Sequence, residues 1–200
     1  MQPFKNFTGL VAPIDQVSVD TDQIIPKQFL KAVVRTGLKK GLFFDRRFNP
    51  DGSENPRFVL NQPRFRDATI LVARANFGSG SSREHAVWAL HDFGFRALIS
   101  PVFADLFRSN CLKNGVLPIV LPHDDVDHIF KSVSDYEAYR ISIDLDEQTV
   151  TDDFGWSARF EIDPYEKTCL LEGVDDIALT LSHHREIAEY EAKHPIPYRF

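Results

Sequence analysis

The stretch from residue 68 to residue 121 constrains the fold more than any other part of the chain. "ATILVAR" (68–74) is an apolar run of strand length. After a short loop, "REHAVWALHDF" sets Ala86, Ala89, Leu90 and Phe93 on one helical face, with Gly94 where a C-cap glycine belongs. "RALIS" (96–100) reads as the next strand, "FADLFRSNCLKNG" (103–115) as a second helix ending at glycine, and "VLPIVL" (116–121) as a third strand. Strands that alternate with helices in this way predict right-handed crossovers and a parallel βαβαβ segment.

The flanks extend that core. Upstream, "TGLVAPI" (8–14) reads as a short buried strand, and "DQVSVDTDQIIPKQF" as a long loop carrying carboxylates. Downstream, "RISIDL", "QTVT" and "SARFEI" alternate apolar and polar residues with period two, which predicts antiparallel strands. The fold class is therefore mixed α/β, in one domain over residues 1–200. Two hundred residues can bury about 70% of the unfolded surface, so no staples are needed. Residues 31–63, rich in Gly, Pro, Arg and Phe, predict an irregular, mobile insert. Residues 182–200 predict a polar C-terminal helix and tail, with Ser182 as N-cap and Glu186 and Glu189 in its early turns.

Charge and cysteine usage exclude several function classes. A net charge of −6 argues against nucleic acid as the main partner, because phosphate binding needs a basic footprint. The acidic "HDDVDH" (123–128) reads as a solvated helix start. The two cysteines, Cys111 and Cys169, lie far apart, with no C-x-x-C, so no metal site is expected in this chain. No apolar run approaches the ~18 residues of a membrane span, and "MQPFKNFTGLVAPID" has no apolar core of a signal peptide. A cytoplasmic, disulfide-free protein with no membrane partner is the expectation.

The chemistry concentrates in "NFGSGSSREH" (76–85). Ser81-x-x-Glu84 has the spacing of a capping box, with Ser81 at N-cap and Glu84 at N3. Gly78 and Gly80 permit positive φ and close approach of the backbone. A strand end, a glycine turn and a helix start together favour an anion, and Arg83 adds a bidentate fork for a carboxylate or phosphate. The plain alternative is a well-capped strand–helix turn. Gly78-x-Gly80-x-x-Arg83 lacks the third glycine of a dinucleotide fingerprint, no G-K-[ST] follows, and Ser82 stands where an esterase elbow needs glycine.

"GSGSSREHA" followed by "FGFRALISPVFADLFRSNCLKNGVLPI" resembles the swivel domain of the aconitase superfamily. "DTDQIIPKQFLKAVVRTG" and "CLLEGVDDIALTL" are similar, more narrowly, to the 3-isopropylmalate dehydratase small-subunit family. The resemblance covers nearly the whole chain. It implies a swivelling β/β/α domain and an enzyme split over two chains. A large subunit carries a [4Fe–4S] cluster whose open iron acts as Lewis acid, and this chain binds no cofactor. The implied reaction isomerises 2-isopropylmalate and 3-isopropylmalate through 2-isopropylmaleate, in leucine biosynthesis.

Carried over position by position, the resemblance makes Ser81, as its alkoxide, the base that takes the substrate carbon proton. Arg83 becomes the arginine that binds substrate and stabilises that oxyanion. Ser82 is expected to hydrogen-bond a carboxylate. Asp22 matches an active-site aspartate, Arg35 a carboxylate clamp, and Ser109 and Asn110 a Thr-Asn pair near the dicarboxylate substrate. Leu30, Val33 and Val34 match a specificity loop whose apolar character suits isopropyl. Two alternatives stay open: a related hydro-lyase subunit acting on citraconate, a methylmalate or a homologous tricarboxylate, and a non-catalytic anion-binding module. A serine hydroxyl is far too weak an acid to serve as base unaided, so it needs positive potential and donors aimed at the oxygen.

Overall fold

The computed structural model describes residues 1–194. Seven strands form one mixed sheet in the order β4-β3-β2-β1-β5-β6-β7. They are β1 (Phe7–Ile14), β2 (Ile70–Ala73), β3 (Ala97–Ser100), β4 (Leu117–Val120), β5 (Arg140–Asp144), β6 (Thr149–Asp152) and β7 (Ser157–Arg159). The helices are α1 (Thr21–Ile24), α2 (Phe44–Arg47), α3 (Glu84–Phe93), α4 (Asp105–Lys113), α5 (His123–Asp135), α6 (Pro164–Glu172), α7 (Asp176–Ser182) and α8 (His184–Lys193).

Strand β1 joins the two halves of the sheet. Its second half pairs in parallel with β2, Val11 opposite Ile70, and its first half pairs antiparallel with β5, Phe7 opposite Ile143. The parallel half, β1 to β4, is covered on both faces, and its strands read as unbroken apolar runs: all four residues of β2 and of β3 are buried. In β5 burial alternates, with Ile141 and Ile143 inside and Arg140 exposed. This is why the sequence shows short apolar runs before residue 121 and period-two alternation after it. The acidic cluster at 123–128 begins α5, with Asp124 and Asp125 in the first turn, where the helix dipole favours them, and Val126, Ile129 and Val133 facing the core.

Two expectations are corrected by the packing. Residues 31–63 are irregular, but from Leu38 onward they are not loose: Leu38, Leu42, Phe43, Phe58 and Leu60 join the core. The Arg47 guanidinium is buried among them, donating to the Lys39 and Leu42 carbonyls and to Asn61 Oδ1. Aromatic residues without periodicity built a core here, which a search for periodicity cannot see. The exposed part is short, with Val33 at 92% exposure. Backbone amides of 33–36 are therefore expected to exchange with deuterated solvent far faster than those of 42–47. Equal protection of the two segments would contradict this division. At the other end, Ser182 closes α7, its hydroxyl donating to the Leu179 carbonyl, and His183 precedes α8. The expected C-terminal helix is α8, and it is entered at His183, not at Ser182. Residues 195–200 of the expected tail lie outside the described residues.

Candidate active site

The carboxyl ends of β1 and β2 meet at the Ser/Gly loop. Gly78 N–H donates to the Val19 carbonyl at 2.7 Å, Thr21 N–H to the Ser79 carbonyl at 2.9 Å, and Thr21 Oγ1 to the Ser81 carbonyl at 2.9 Å. Thr21 is buried, so this stitching is shielded from water. Asp20 caps α1 by accepting from Gln23 N–H at 2.7 Å, and Asp22 stands in the first turn of that helix. Asp22 forms an ion pair with Arg83. Loops at the carboxyl end of parallel strands are where α/β sheets build binding crevices.

Gly78 lies at φ +80°, and a Cβ there would stand 2.1 Å from Phe107 Cγ. The loop must run directly against that ring to reach the start of α3. Gly80 lies at φ +88°, and a Cβ there would meet Asp20 Cβ at 3.5 Å, an ordinary contact.

The capping box does not form. Arg83 N–H turns back onto the Ser81 carbonyl at 2.8 Å, so α3 starts at Glu84, its N-cap is Arg83, and no side chain caps it. The Ser81 carbonyl thus takes the Thr21 hydroxyl and the Arg83 amide, while its own hydroxyl is left out of the cap. Ser81 and Ser82 are exposed, and no hydrogen bond engages either hydroxyl among the described residues. The first-turn N–H groups of α3 likewise have no side-chain acceptor. Arg83 Nη1 is buried and paired with the Asp22 carboxylate. A free hydroxyl, uncapped helix amides and a guanidinium on neighbouring residues can receive an anion or hold an alkoxide.

Arg35 arrives from the exposed loop. Its Nη2 lies 3.9 Å from Glu84 Oε1 and its guanidinium carbon 5.6 Å from the centroid of the Trp88 ring. The same loop is pinned by His85 Nε2 against the Ala32 carbonyl at 2.9 Å. Leu30 is half-buried against the core, whereas Val33 and Val34 stand exposed and present most of this loop's apolar surface to solvent.

Asn110 and Ser109 part company. Asn110 lies one turn before Asn114 on α4, and Asn114 faces α3, donating to Glu84 Oε1 at 2.8 Å. Ser109 instead lines a cavity with Met1, Leu112, Tyr165 and Cys169, on the side of α4 that meets α6. Adjacent positions on a helix differ by about 100° around the axis, so one pair of neighbours cannot serve one pocket equally. Sequence reading passed over Thr21, Trp88, His85 and Asn114. Their roles depend on contacts across 26 to 60 positions of sequence, for Trp88–Asn114, His85–Ala32 and Thr21–Ser81, and leave no local signal.

The donor set of this chain does not suit an iron–sulfur cluster. Cys111 is fully buried, burial pushes its thiol well above the ordinary range, and Cys169 sits on α6 as the second of two free cysteines. Among the described residues no three His, Cys, Asp or Glu side chains converge. Among the described residues no helix is long and apolar enough to cross a membrane.

Comparison with known proteins matches residues 1–124 to the aconitase C-terminal domain and residues 127–164 to the family described as LeuD_N. The 3-isopropylmalate dehydratase small subunit of Brevibacillus brevis is 52% identical over 193 residues, covering 96% of this chain and 100% of that one. That of Halalkalibacterium halodurans is 53% identical over 192 residues, covering 96% and 98%. A crystal structure of 3-isopropylmalate dehydratase from Methanocaldococcus jannaschii shares the fold, with a TM-score of 0.68 at 24% identity, over 92% of this chain and 99% of that chain.

Proposed function

From the premise that this chain belongs to the family of 3-isopropylmalate dehydratase small subunits, we propose that it is the small subunit of a two-chain hydro-lyase interconverting 2-isopropylmalate and 3-isopropylmalate in leucine biosynthesis. The observation that carries the catalytic part is the Ser81 hydroxyl, exposed and unengaged, on the loop that also carries Arg83, whose guanidinium is held by Asp22. The partner is a large subunit holding the [4Fe–4S] cluster, and the compartment is the cytoplasm.

Ser81 Oγ takes the proton from the substrate carbon. The α3 amides and Arg83 stabilise the alkoxide form that makes this possible, because positive potential lowers the cost of the oxyanion. Asp22 holds the Arg83 side chain over the loop by their ion pair. Arg35 clamps a substrate carboxylate, and Ser82 and Asn110 supply further polar contacts. Ser109 is left out of this set because it lines the cavity beside α6. Val33 and Val34 meet the isopropyl group. Such an apolar contact discriminates by about 1–3 kcal/mol per methylene, so close relatives of isopropylmalate are weaker substrates, not excluded ones.

The test is reconstitution. The purified chain alone should isomerise no isopropylmalate and contain no iron, and mixing it with the cluster-bearing large subunit should restore turnover. Turnover by the chain alone, or no turnover after mixing with an active large subunit, would remove this function.

A further inference from the structure

Arg35 is 61% exposed and sits on a loop with few anchors of its own. Its two side-chain contacts, Glu84 and the Trp88 ring, are both on α3. Glu84 is far better held. Its Oε1 accepts from Asn114 Nδ2 at 2.8 Å and from Trp88 Nε1 at 3.3 Å. Asn114 is itself buried. It accepts from Trp88 Nε1 at 2.9 Å and donates to the Asn110 carbonyl at 2.8 Å, which locks its amide on the end of α4. Two rigid helices thus fix one carboxylate at the first position of α3, and that carboxylate faces a cation from a loose loop.

We infer that Glu84 is the positioning residue for Arg35: held by Asn114 and Trp88, it keeps the Arg35 guanidinium over the start of α3, ready for a substrate carboxylate. The inference rests on the function proposed above and deepens it. The 3.9 Å separation is a loose ion pair, not a bidentate clasp, so the planar fork of Arg35 keeps N–H groups free for substrate. The arrangement orients the cation without consuming it. A fixed anion that pre-orders a clamp lowers the ordering cost of binding.

The test is a double-mutant cycle in the assembled enzyme. Glu84→Gln keeps an oxygen for Asn114 and Trp88 and removes only the charge. It should raise KM for isopropylmalate about tenfold and change kcat less than about threefold, because a clamp on a non-reacting carboxylate acts alike in ground and transition states. Arg35→Ala should raise KM at least as much, and the double variant should be no worse than Arg35→Ala alone, since Glu84 acts through Arg35. A merely structural Glu84 would lower activity equally in both backgrounds. Additive effects, or an unchanged KM in Glu84→Gln, would overturn the assignment while a working wild-type complex leaves the proposed function standing. A wild-type complex that does not isomerise the substrate removes both.

Discussion

In the assembled enzyme, Ser81→Ala is expected to lower kcat by 10²–10⁴, about 3–5 kcal/mol of barrier, with substrate binding and subunit assembly retained. The magnitude is that of losing a positioned base. The fold should scarcely notice. Ser81 is exposed, its hydroxyl caps nothing, and the contacts that hold the loop use its carbonyl, which alanine keeps. An exposed substitution of this kind stays within about 0.5 kcal/mol in stability. Had Ser81 been the N-cap, the same change would cost about 1 kcal/mol of stability and little rate. The two readings therefore predict opposite patterns in kcat and Tm. Exchange of the substrate C–H proton with deuterated solvent reads the step directly. Wild-type exchange in Ser81→Ala would end the base assignment and turn attention to Ser82.

Gly78→Ala is expected to be the most damaging small substitution near the site, acting on stability first. The added Cβ would stand 2.1 Å from Phe107 Cγ and 2.6 Å from its Cβ. Phe107 cannot step aside, being buried with its ring edge against Phe77 at 5.5 Å between centroids. The left-handed backbone conformation adds about 1–2 kcal/mol, and overpacking typically about 1–3 kcal/mol. A sum of about 2–5 kcal/mol lowers Tm by roughly 10 °C in a domain of this size. Gly80→Ala is the control. Its φ of +88° imposes a similar backbone cost, but the new methyl meets Asp20 Cβ at 3.5 Å and Thr21 Oγ1 at 3.7 Å, both ordinary contacts, so it should melt several degrees higher than Gly78→Ala. Equal melting of the two would show that backbone conformation and not Phe107 decides the outcome.

The two glycines also mark how far the residues alone could be read. Their spacing announced a turn with unusual backbone freedom, but which of them runs against a ring depends on where α4 packs. The Ser/Gly loop itself, the βαβαβ run and the antiparallel strands were legible because each is a local pattern. Burial on both faces leaves unbroken apolar runs in β2 and β3, and burial on one face leaves alternation in β5. The family resemblance named the candidate residues, and no local pattern could have placed Asp22 or Arg35 at the loop. The helices α6 and α7 were missed, although Asp163 and Asp175 cap them and Gly173 ends α6 in the left-handed conformation. Those caps are sequence signals that were available and passed over.

By itself the sequence determined the parallel core, the antiparallel extension and the position of the anion-favouring loop, since backbone geometry imposes those periods within a few residues. Only the tertiary structure decided that Arg83 N–H takes the Ser81 carbonyl and denies Ser81 its cap. It decided too that Asp22 reaches Arg83, that Glu84 is held by Asn114 to face Arg35, and that Ser109 turns to the cavity beside α6. Apart from the Arg83–Ser81 turn, these contacts join segments far apart in the chain. Their geometry follows from how buried surfaces settle against one another, and a residue carries no mark of that in its neighbours along the sequence.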